Sequence, residues 1–307
     1  MCGRYTLAHT TEEIVERFGI DGVFDEDDIL MPDRRRGADA PSGPLVLLQA
    51  NYNIAPTNFV PVVRAQTTDA GQYVRGIERM RWGLIPFWNK NLEVSKLKPL
   101  INSRVETLAE KAAKSGKLTR RRCLIPADGF YEWQLEGKKK RPLSIGLPSR
   151  EMFAMAGIWD EWTSPDGSMI RSCSIITVPN NQFLHGVHHR MPAILDSGLE
   201  EKWIDIEIDN ATSILEMLRP YNGEMQMYEV STLVNSVANN GSALISPIGL
   251  ADSGGEAKAI IQNGDIAVNG EREGRRGRKL RAGDTVQFRD EKVVIDAVLP
   301  ELEYSEA

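Results

Sequence analysis

The apolar residues of this chain come in short runs set between turn residues, and that pattern limits the fold more than any other feature. From Leu45 onward, Val60-Pro61-Val62-Val63 and Met80-Arg81-Trp82-Gly83-Leu84-Ile85 are runs of this kind. Cys123-Leu124-Ile125, Phe153 to Ile158 and Ser174 to Val178 are apolar enough for buried strands. Helical signals are fewer. Thr10 and Glu13 have the spacing of a capping box, Ile14 and Phe18 share one helix face, and Gly19 stops that helix. Val105 to Lys114, Glu200 to Trp203 and Ala211 to Leu218 also read as helices, the last closed by Pro220. Strands predominate, so the expected class is α+β, with a mainly antiparallel β-sheet core and peripheral helices. Residues 21–44 are polar with Pro and Gly, and read as an inserted loop that is mobile or lies over the surface.

The composition shifts near Ser246-Pro247. Six basic residues fall between Arg272 and Arg281. A helix over 254–262 and a small twisted sheet, with turns at Asn269-Gly270 and Ala282-Gly283-Asp284, are expected there. The expected domains are therefore 1–246 and 247–307. The 307 residues are 41% hydrophobic, enough for a core of useful size. No run of about 18 apolar residues exists, which argues against a membrane span. Met1 to Thr11 lacks the apolar centre of a signal peptide. Cys2, Cys123 and Cys173 are scattered and odd in number, which argues for a reducing, cytoplasmic compartment. The histidines and cysteines lack zinc-like spacing, so no metal is expected. With 37 Lys+Arg against 43 Asp+Glu, a uniformly basic nucleic-acid binder is excluded, but a local basic groove is not. No internal repeat, dinucleotide-binding or P-loop glycine pattern is visible.

Four segments carry chemistry. Removal of Met1 would leave Cys2 with a free α-amine and a thiol on adjacent carbons. Their ordinary pKa values, about 7.7–8.0 and about 8.5, leave both partly available near neutral pH. Such a pair converts an aldehyde to an imine and then closes a thiazolidine ring, which an internal cysteine cannot do. A chance Cys after Met is the competing reading. Asn102-Ser103-Arg104-Val105-Glu106-Thr107 is a polar run at a strand-to-helix junction, where capping alone is an alternative. Arg122 to Trp133 places Glu132 between Tyr131 and Trp133. Desolvation there would let Glu132 hold a proton near neutral pH; an exposed strand Glu is the alternative. In His188-His189-Arg190-Met191-Pro192, one His could shuttle protons and Arg190 could hold a phosphate; a structural His pair competes. Arg120, Arg121, Arg122, Lys138, Lys139, Lys140 and Arg141 bracket the aromatic segment. Cations interleaved with rings suit a strand of nucleic acid, although Lys138 to Lys140 also suit a solvated hairpin tip.

These segments together resemble the SOS-response-associated peptidase family, also called abasic-site-processing proteins. The resemblance rests on Met1-Cys2-Gly3-Arg4-Tyr5, Tyr52-Asn53-Ile54-Ala55-Pro56-Thr57, Arg81-Trp82-Gly83-Leu84-Ile85-Pro86, Ile101 to Thr107, Arg122 to Trp133, His188 to Leu195, and Val230-Ser231-Thr232-Leu233-Val234-Asn235, in order across residues 1–246. It implies covalent capture of abasic sites in single-stranded DNA through a thiazolidine crosslink that shields the lesion. Cys2 would then be the nucleophile, Asn102 would orient its amine or the opened sugar, Glu132 would move protons, and His188 would protonate the sugar oxygen. Arg4, Arg104 and Arg190 would grip phosphates, Trp82 would stack on or wedge against a base, and Asn53 and Pro56 would lie against the DNA. The implied protein is a monomer without cofactor, with replication-fork proteins as further partners and the nucleoid as its place when bound to DNA. Release of Met1 by the same site is a secondary activity. Ser103 stands where the family often has Ala.

Leu250 to Phe288 resembles the small S-four-type RNA-binding domain, through Ser253 to Lys258, Val268 to Glu271, Arg275 to Leu280 and Ala282 to Asp284. That resemblance places Lys258, Arg275, Arg276 and Arg278 on one nucleic-acid surface, with RNA as the partner. Two other functions compete with DNA capture: an RNA-binding adaptor whose large domain is inert, and a cysteine peptidase acting in trans.

Overall fold

The computed structural model describes residues 2–24, 49–68, 70–89, 98–115, 117–164, 167–248, 258, 260–275, 277–281, 283–288 and 291–294. The chain divides into two compact units, residues 1–246 and 247–307. Most of the inserted loop 21–44 falls outside the described residues. Its first part does not form a loop: Gly22–Val23 is a strand, and Phe24 is buried.

In the first unit the strands are β1 (Tyr5–Leu7), β2 (Gly22–Val23), β3 (Asn51–Ile54), β4 (Phe59–Thr67), β5 (Tyr73–Trp82), β6 (Asn102–Arg104), β7 (Arg122–Ala127), β8 (Gly129–Glu136), β9 (Lys139–Gly146), β10 (Phe153–Thr163), β11 (Met169–Pro179), β12 (Arg190–Pro192), β13 (Ile194–Leu195) and β14 (Gln226–Glu229). The helices are α1 (Thr11–Phe18), α2 (Val105–Ser115), α3 (Lys117–Arg120), α4 (Ser197–Ile204) and α5 (Ala211–Glu216). The α+β class with a mainly antiparallel core is what the structure holds. One sheet runs β14-β9-β8-β1-β3. The other runs β12-β11-β10-β7-β4-β5-β2, and β5 pairs back to β11, so that it closes on itself like a barrel. β4 and β5 supply its longest ladder, from Phe59↔Arg81 to Thr67↔Tyr73, and β10 and β11 pair from Gly157↔Ile175 to Thr163↔Met169.

The alternation of strand side chains fills the interior. On β5 the even positions Val74, Gly76, Glu78, Met80 and Trp82 are all buried, and Trp82 meets Tyr5 edge-on with ring centroids 5.2 Å apart. The core cluster draws Tyr5, Val62, Met80, Trp82, Ile125, Phe130, Phe153, Ile175 and Trp203 together. Glu78 is buried too, and Arg64 (2.5 Å) and Arg171 (3.0 Å) neutralise it. A buried carboxylate without such partners would protonate.

β1 is held in place from the opposite side of its sheet. Asp128, 1% exposed, accepts from the Ala8 N–H at 2.6 Å, from the Thr6 hydroxyl, and from Arg150 Nη2 at 2.5 Å. This clamp fixes the strand that carries the N-terminal residues into the molecule.

In the second unit β15 (Ile266–Val268), β16 (Glu271–Arg272), β17 (Thr285–Phe288) and β18 (Glu291–Val294) form an antiparallel sheet in the order β16-β15-β17-β18. Asn269 and Gly270 both take positive φ, 55° and 84°, as the two-residue turn between β15 and β16 requires.

Candidate active site

The chain's first described residue lies where the two sheets meet. β1 pairs with β8, Tyr5↔Phe130 and Thr6↔Gly129, and the Tyr131 N–H donates to Arg4 O at 2.9 Å, so the ladder runs on toward the N-terminus beside Glu132. Cys2 is wholly buried, and its Sγ–H donates to Arg4 O at 3.7 Å. From the other sheet, Asn102 Nδ2 donates to Cys2 O at 3.0 Å. β6 carries Asn102 because it lies parallel to β11, with Ile175↔Asn102 and Thr177↔Arg104. Beneath this joint, Trp82 Nε1 donates to Ile101 O at 2.9 Å and fixes the residue before Asn102.

The His188 segment reaches the same end of the barrel. Thr177 of β11 pairs with Arg104 on one side and with Pro192 of β12 on the other. Gln134, two residues beyond Glu132 on β8, donates to Gly186 O at 3.3 Å. Cys2, Asn102 and Glu132 thus meet at this joint, and the Gln134–Gly186 bond ties the segment that precedes His188 to the same strand as Glu132.

Electrostatics distinguishes the groups. Burial pushes the Cys2 thiol far above its usual value, and the negative charge of Glu132 pushes it further. The thiol therefore rests as S–H next to a buried carboxylate. Glu132 is 7% exposed, which rules out the solvent-facing strand position. His188 Nδ1 lies 3.0 Å from the Arg190 N and 3.1 Å from the Arg190 O, so it accepts from the one or donates to the other according to its tautomer. Asn102 Oδ1 is buried with no hydrogen-bond partner among the described residues. A buried acceptor in that state costs about 1–3 kcal/mol, which a donor from a bound molecule or a water would relieve.

The model of the family "SOS response associated peptidase (SRAP)" matches residues 1–237. The chain belongs to the SRAP family. Abasic site processing protein YoqW of Bacillus subtilis (strain 168) is 36% identical over 248 residues, 80% of this chain and 99% of that protein. Abasic site processing protein HMCES of Gallus gallus is 34% identical over 225 residues, 65% of this chain and 67% of that one. A solved structure of a protein from Bacteroides thetaiotaomicron superposes with a TM-score of 0.64 at 25% identity, covering 81% of this chain and all of that one. Residues 242–296 match the S4 domain model.

Within the SRAP unit several residues expected to contact DNA are buried. Trp82 is fully buried and bound to Ile101 O, so it cannot stack on a base in this structure. Arg190 is 7% exposed, with Nη1 2.6 Å from Glu106 and Nη2 on Thr177 O; it is a neutralised internal charge rather than a phosphate grip. Asn53 is 3% exposed and its Nδ2 bonds Val234 O, Ser236 O and Asn239 O at 2.9–3.3 Å, a structural tie to the closing Val230–Asn235 motif. Arg122 is buried among backbone carbonyls, including Trp203 O and Leu118 O, and is likewise structural.

Other positions keep a surface role open. Arg4 is half-buried and bonds only neutral acceptors among the described residues, Asn53 Oδ1 (2.5 Å), Val234 O (2.9 Å) and Asn235 O (3.2 Å). No carboxylate pairs with it among the described residues. Arg104, Lys139 and Lys140 are exposed, and Pro56 is half-exposed. Thr57, which follows Pro56, takes φ of 74° and donates its N–H to Trp82 O at 2.8 Å; a β-branched residue in the left-handed region is strained. Two aromatic residues were not singled out by the motifs: Phe87 and Trp88, 57% and 67% exposed, follow Pro86 in a turn. The signal was available, because large rings in a Pro-led turn have no strand face to bury them.

In the second unit Lys258 is exposed, while Arg276 lies outside the described residues. Arg275 and Arg278 both reach Glu273 at 2.8 Å. Arg278 is largely covered there, whereas the Arg275 side chain stays 75% exposed and keeps one edge open to solvent.

Proposed function

We propose that this chain processes abasic sites in single-stranded DNA by capturing the lesion covalently on Cys2. The support is the joint itself: a cysteine at the second position, held by Asn102 through its carbonyl and facing Glu132, in an SRAP chain whose relatives carry the name abasic site processing protein. Met1 leaves first, which gives Cys2 a primary amine. His188 gives a proton to the sugar ring oxygen as the C1′–O4′ bond breaks, the C1′ hydroxyl loses its proton to water, and the ring opens to the C1′ aldehyde. The Cys2 amine adds to that carbon and water leaves, forming an imine. The thiol then adds across the C=N bond, its sulfur to C1′ and its proton to nitrogen by way of Glu132. The product is a thiazolidine, and the net change is loss of one water. Asn102 Oδ1 accepts from the amine or from a sugar hydroxyl.

Arg4 and Arg104 attract the phosphates beside the lesion, and Phe87 and Trp88 supply the stacking faces that buried Trp82 cannot. The S4-like module adds a basic nucleic-acid contact through Lys258 and the exposed edge of Arg275, with RNA as its partner class.

Intact mass spectrometry with an abasic oligonucleotide tests the reading. The expected mass is the chain without Met1, plus the oligonucleotide, minus one water. An adduct that persists in Cys2→Ala, or an adduct on a chain still carrying Met1, would sink it.

A further inference from the structure

A chain end frays unless its backbone is tied down, and a nucleophile at the second position inherits that freedom. Here the ties run from Cys2 into β1. Asn102 Nδ2 holds Cys2 O at 3.0 Å, and the Tyr131 N–H holds Arg4 O at 2.9 Å. Beyond Arg4 the hold passes to one buried carboxylate. Asp128 Oδ1 accepts from the Thr6 hydroxyl and from Arg150 Nη2 (2.5 Å). Asp128 Oδ2 accepts from the Ala8 N–H (2.6 Å) and has His9 Nε2 3.8 Å away. The Asp128 N–H returns to Thr6 O at 3.0 Å.

Two further features show the fold arranged around this grip. Ser149 and Arg150 take φ of 53° and 55°. L-residues enter the left-handed region singly and at a cost, so two in succession without glycine make a strained turn. The turn delivers the Arg150 guanidinium under β1. Its Nη2 donates to Thr6 Oγ1 at 2.7 Å, and its Nη1 to Ser144 Oγ at 3.4 Å on β9 and to the Tyr228 hydroxyl oxygen at 3.3 Å on β14. Gly129, opposite Thr6 on β8, leaves the room: a Cβ there would sit 3.1 Å from Thr6 Oγ1 and 3.2 Å from Arg150 Nη2.

We infer that Asp128 and Arg150 are positioning residues for Cys2: through Thr6 they fix β1, and with it the place of the Cys2 amine and thiol at the joint. The inference rests on the role of Cys2 as the nucleophile of abasic-site capture. None of the clamp residues takes part in the bond-making steps. Their effect is geometric, because misplacing a reacting atom by about 1 Å costs about 100-fold in rate. The strained turn is retained because an unstrained one would not bring the guanidinium to Thr6.

The test uses the full chain in Arg150→Met, Thr6→Val and Thr6→Ser, with two readouts. The first is alkylation of Cys2, Cys123 and Cys173, each mapped by mass spectrometry. Local release of β1 exposes Cys2 alone, whereas general destabilisation exposes all three buried thiols. The second is adduct formation at saturating abasic oligonucleotide, set beside affinity for an intact oligonucleotide. Arg150→Met should speed Cys2 alkylation about ten-fold relative to the other two cysteines and slow adduct formation about ten-fold, with affinity within about two-fold. Thr6→Val, which loses only the hydroxyl, should shift both in the same directions by about three-fold, and Thr6→Ser should restore wild-type behaviour. If Arg150→Met does not fold, the contrast between Val and Ser at position 6 decides. Cys2 alkylation that stays at the wild-type rate, or that rises only in step with Cys123 and Cys173, overturns the inference. Thr6→Ser behaving like Thr6→Val overturns it too. Selective exposure of Cys2 with an unchanged adduct rate overturns the clamp's part in the reaction. A wild-type chain that forms no Cys2 adduct would fault the proposed function instead, and the alkylation pattern would still decide whether the clamp holds Cys2.

Discussion

Glu132 acts on Cys2 in two opposite directions. Its charge raises the thiol and keeps the thiolate scarce, yet in the proposed mechanism its carboxylate takes the proton as sulfur attacks. Glu132→Gln should separate the two effects. Alkylation of Cys2 at pH 8 should speed up, because the thiol loses an anionic neighbour, while adduct formation should slow by about 100-fold. Equal adduct rates would remove Glu132 from proton transfer. The two tryptophans give a second contrast. Trp82→Ala removes a fully buried ring and should cost about 3–5 kcal/mol of stability in a denaturant titration. Trp88→Ala should leave that titration unchanged and weaken binding of single-stranded DNA by about 1–3 kcal/mol. The motif drew attention to Trp82 because it stands in a recognisable word. The alternation along β5 carried the correction, since Glu78, Met80 and Trp82 share one face and that face is inside. Arg190 was harder to read, because its partner Glu106 lies on a different element and only the pairing of β6 and β12 to β11 brings them together.

Elements whose boundaries are set by local chemistry were legible; those set by tertiary packing were not. α1 has both halves of its capping box, Thr10 with the Glu13 N–H at 3.2 Å and Glu13 with the Thr10 N–H at 2.8 Å, and it ends at Gly19 with φ of 55°. Thr10→Ala should lower stability by about 1 kcal/mol in chemical denaturation and leave the adduct rate unchanged, because α1 gives Ile14 and Phe18 to the core and none of its residues to the proposed chemistry. A fall in adduct rate would tie the helix to the site. The run Asn102–Thr107 was likewise legible as a junction, and it is β6 passing directly into α2. β2 was not. Gly22–Val23 pairs with Gly76–Ile77, and the Phe24 ring lies so close to Gly76 that a Cβ there would sit 2.4 Å from it. No local pattern in a polar segment announces that it will dock beside a glycine 52 positions later.

At the scale of the whole molecule, the core buries all three thiols, and pH reads that burial. Cys2, Cys123 and Cys173 are each raised by desolvation, whereas in the unfolded chain a thiol ionises near pH 8.5. A group whose folded value is raised stabilises the fold fully below its unfolded value and loses that contribution as pH climbs. Stability should therefore decline above about pH 8.5, by roughly 1.4 kcal/mol per pH unit for each buried thiol, and Cys2→Ala should flatten the slope of denaturation midpoint against pH. The division into two units makes a different demand. YoqW is matched over 99% of its length by 80% of this chain, so the SRAP unit stands as nearly a whole protein in that relative. The chemistry proposed here draws only on residues 2–190, and the residues of Val230–Asn235 that hold Arg4 and Asn53 also precede Ser246. A chain ending at Ser246 should fold and form the Cys2 adduct within about two-fold of the full-length rate. Its affinity for nucleic acid should become less steeply dependent on salt, by the number of phosphate contacts that Lys258 and Arg275 contribute. If the shortened chain folds but forms no adduct, the second unit takes part in capture, and the site is larger than the joint at Cys2.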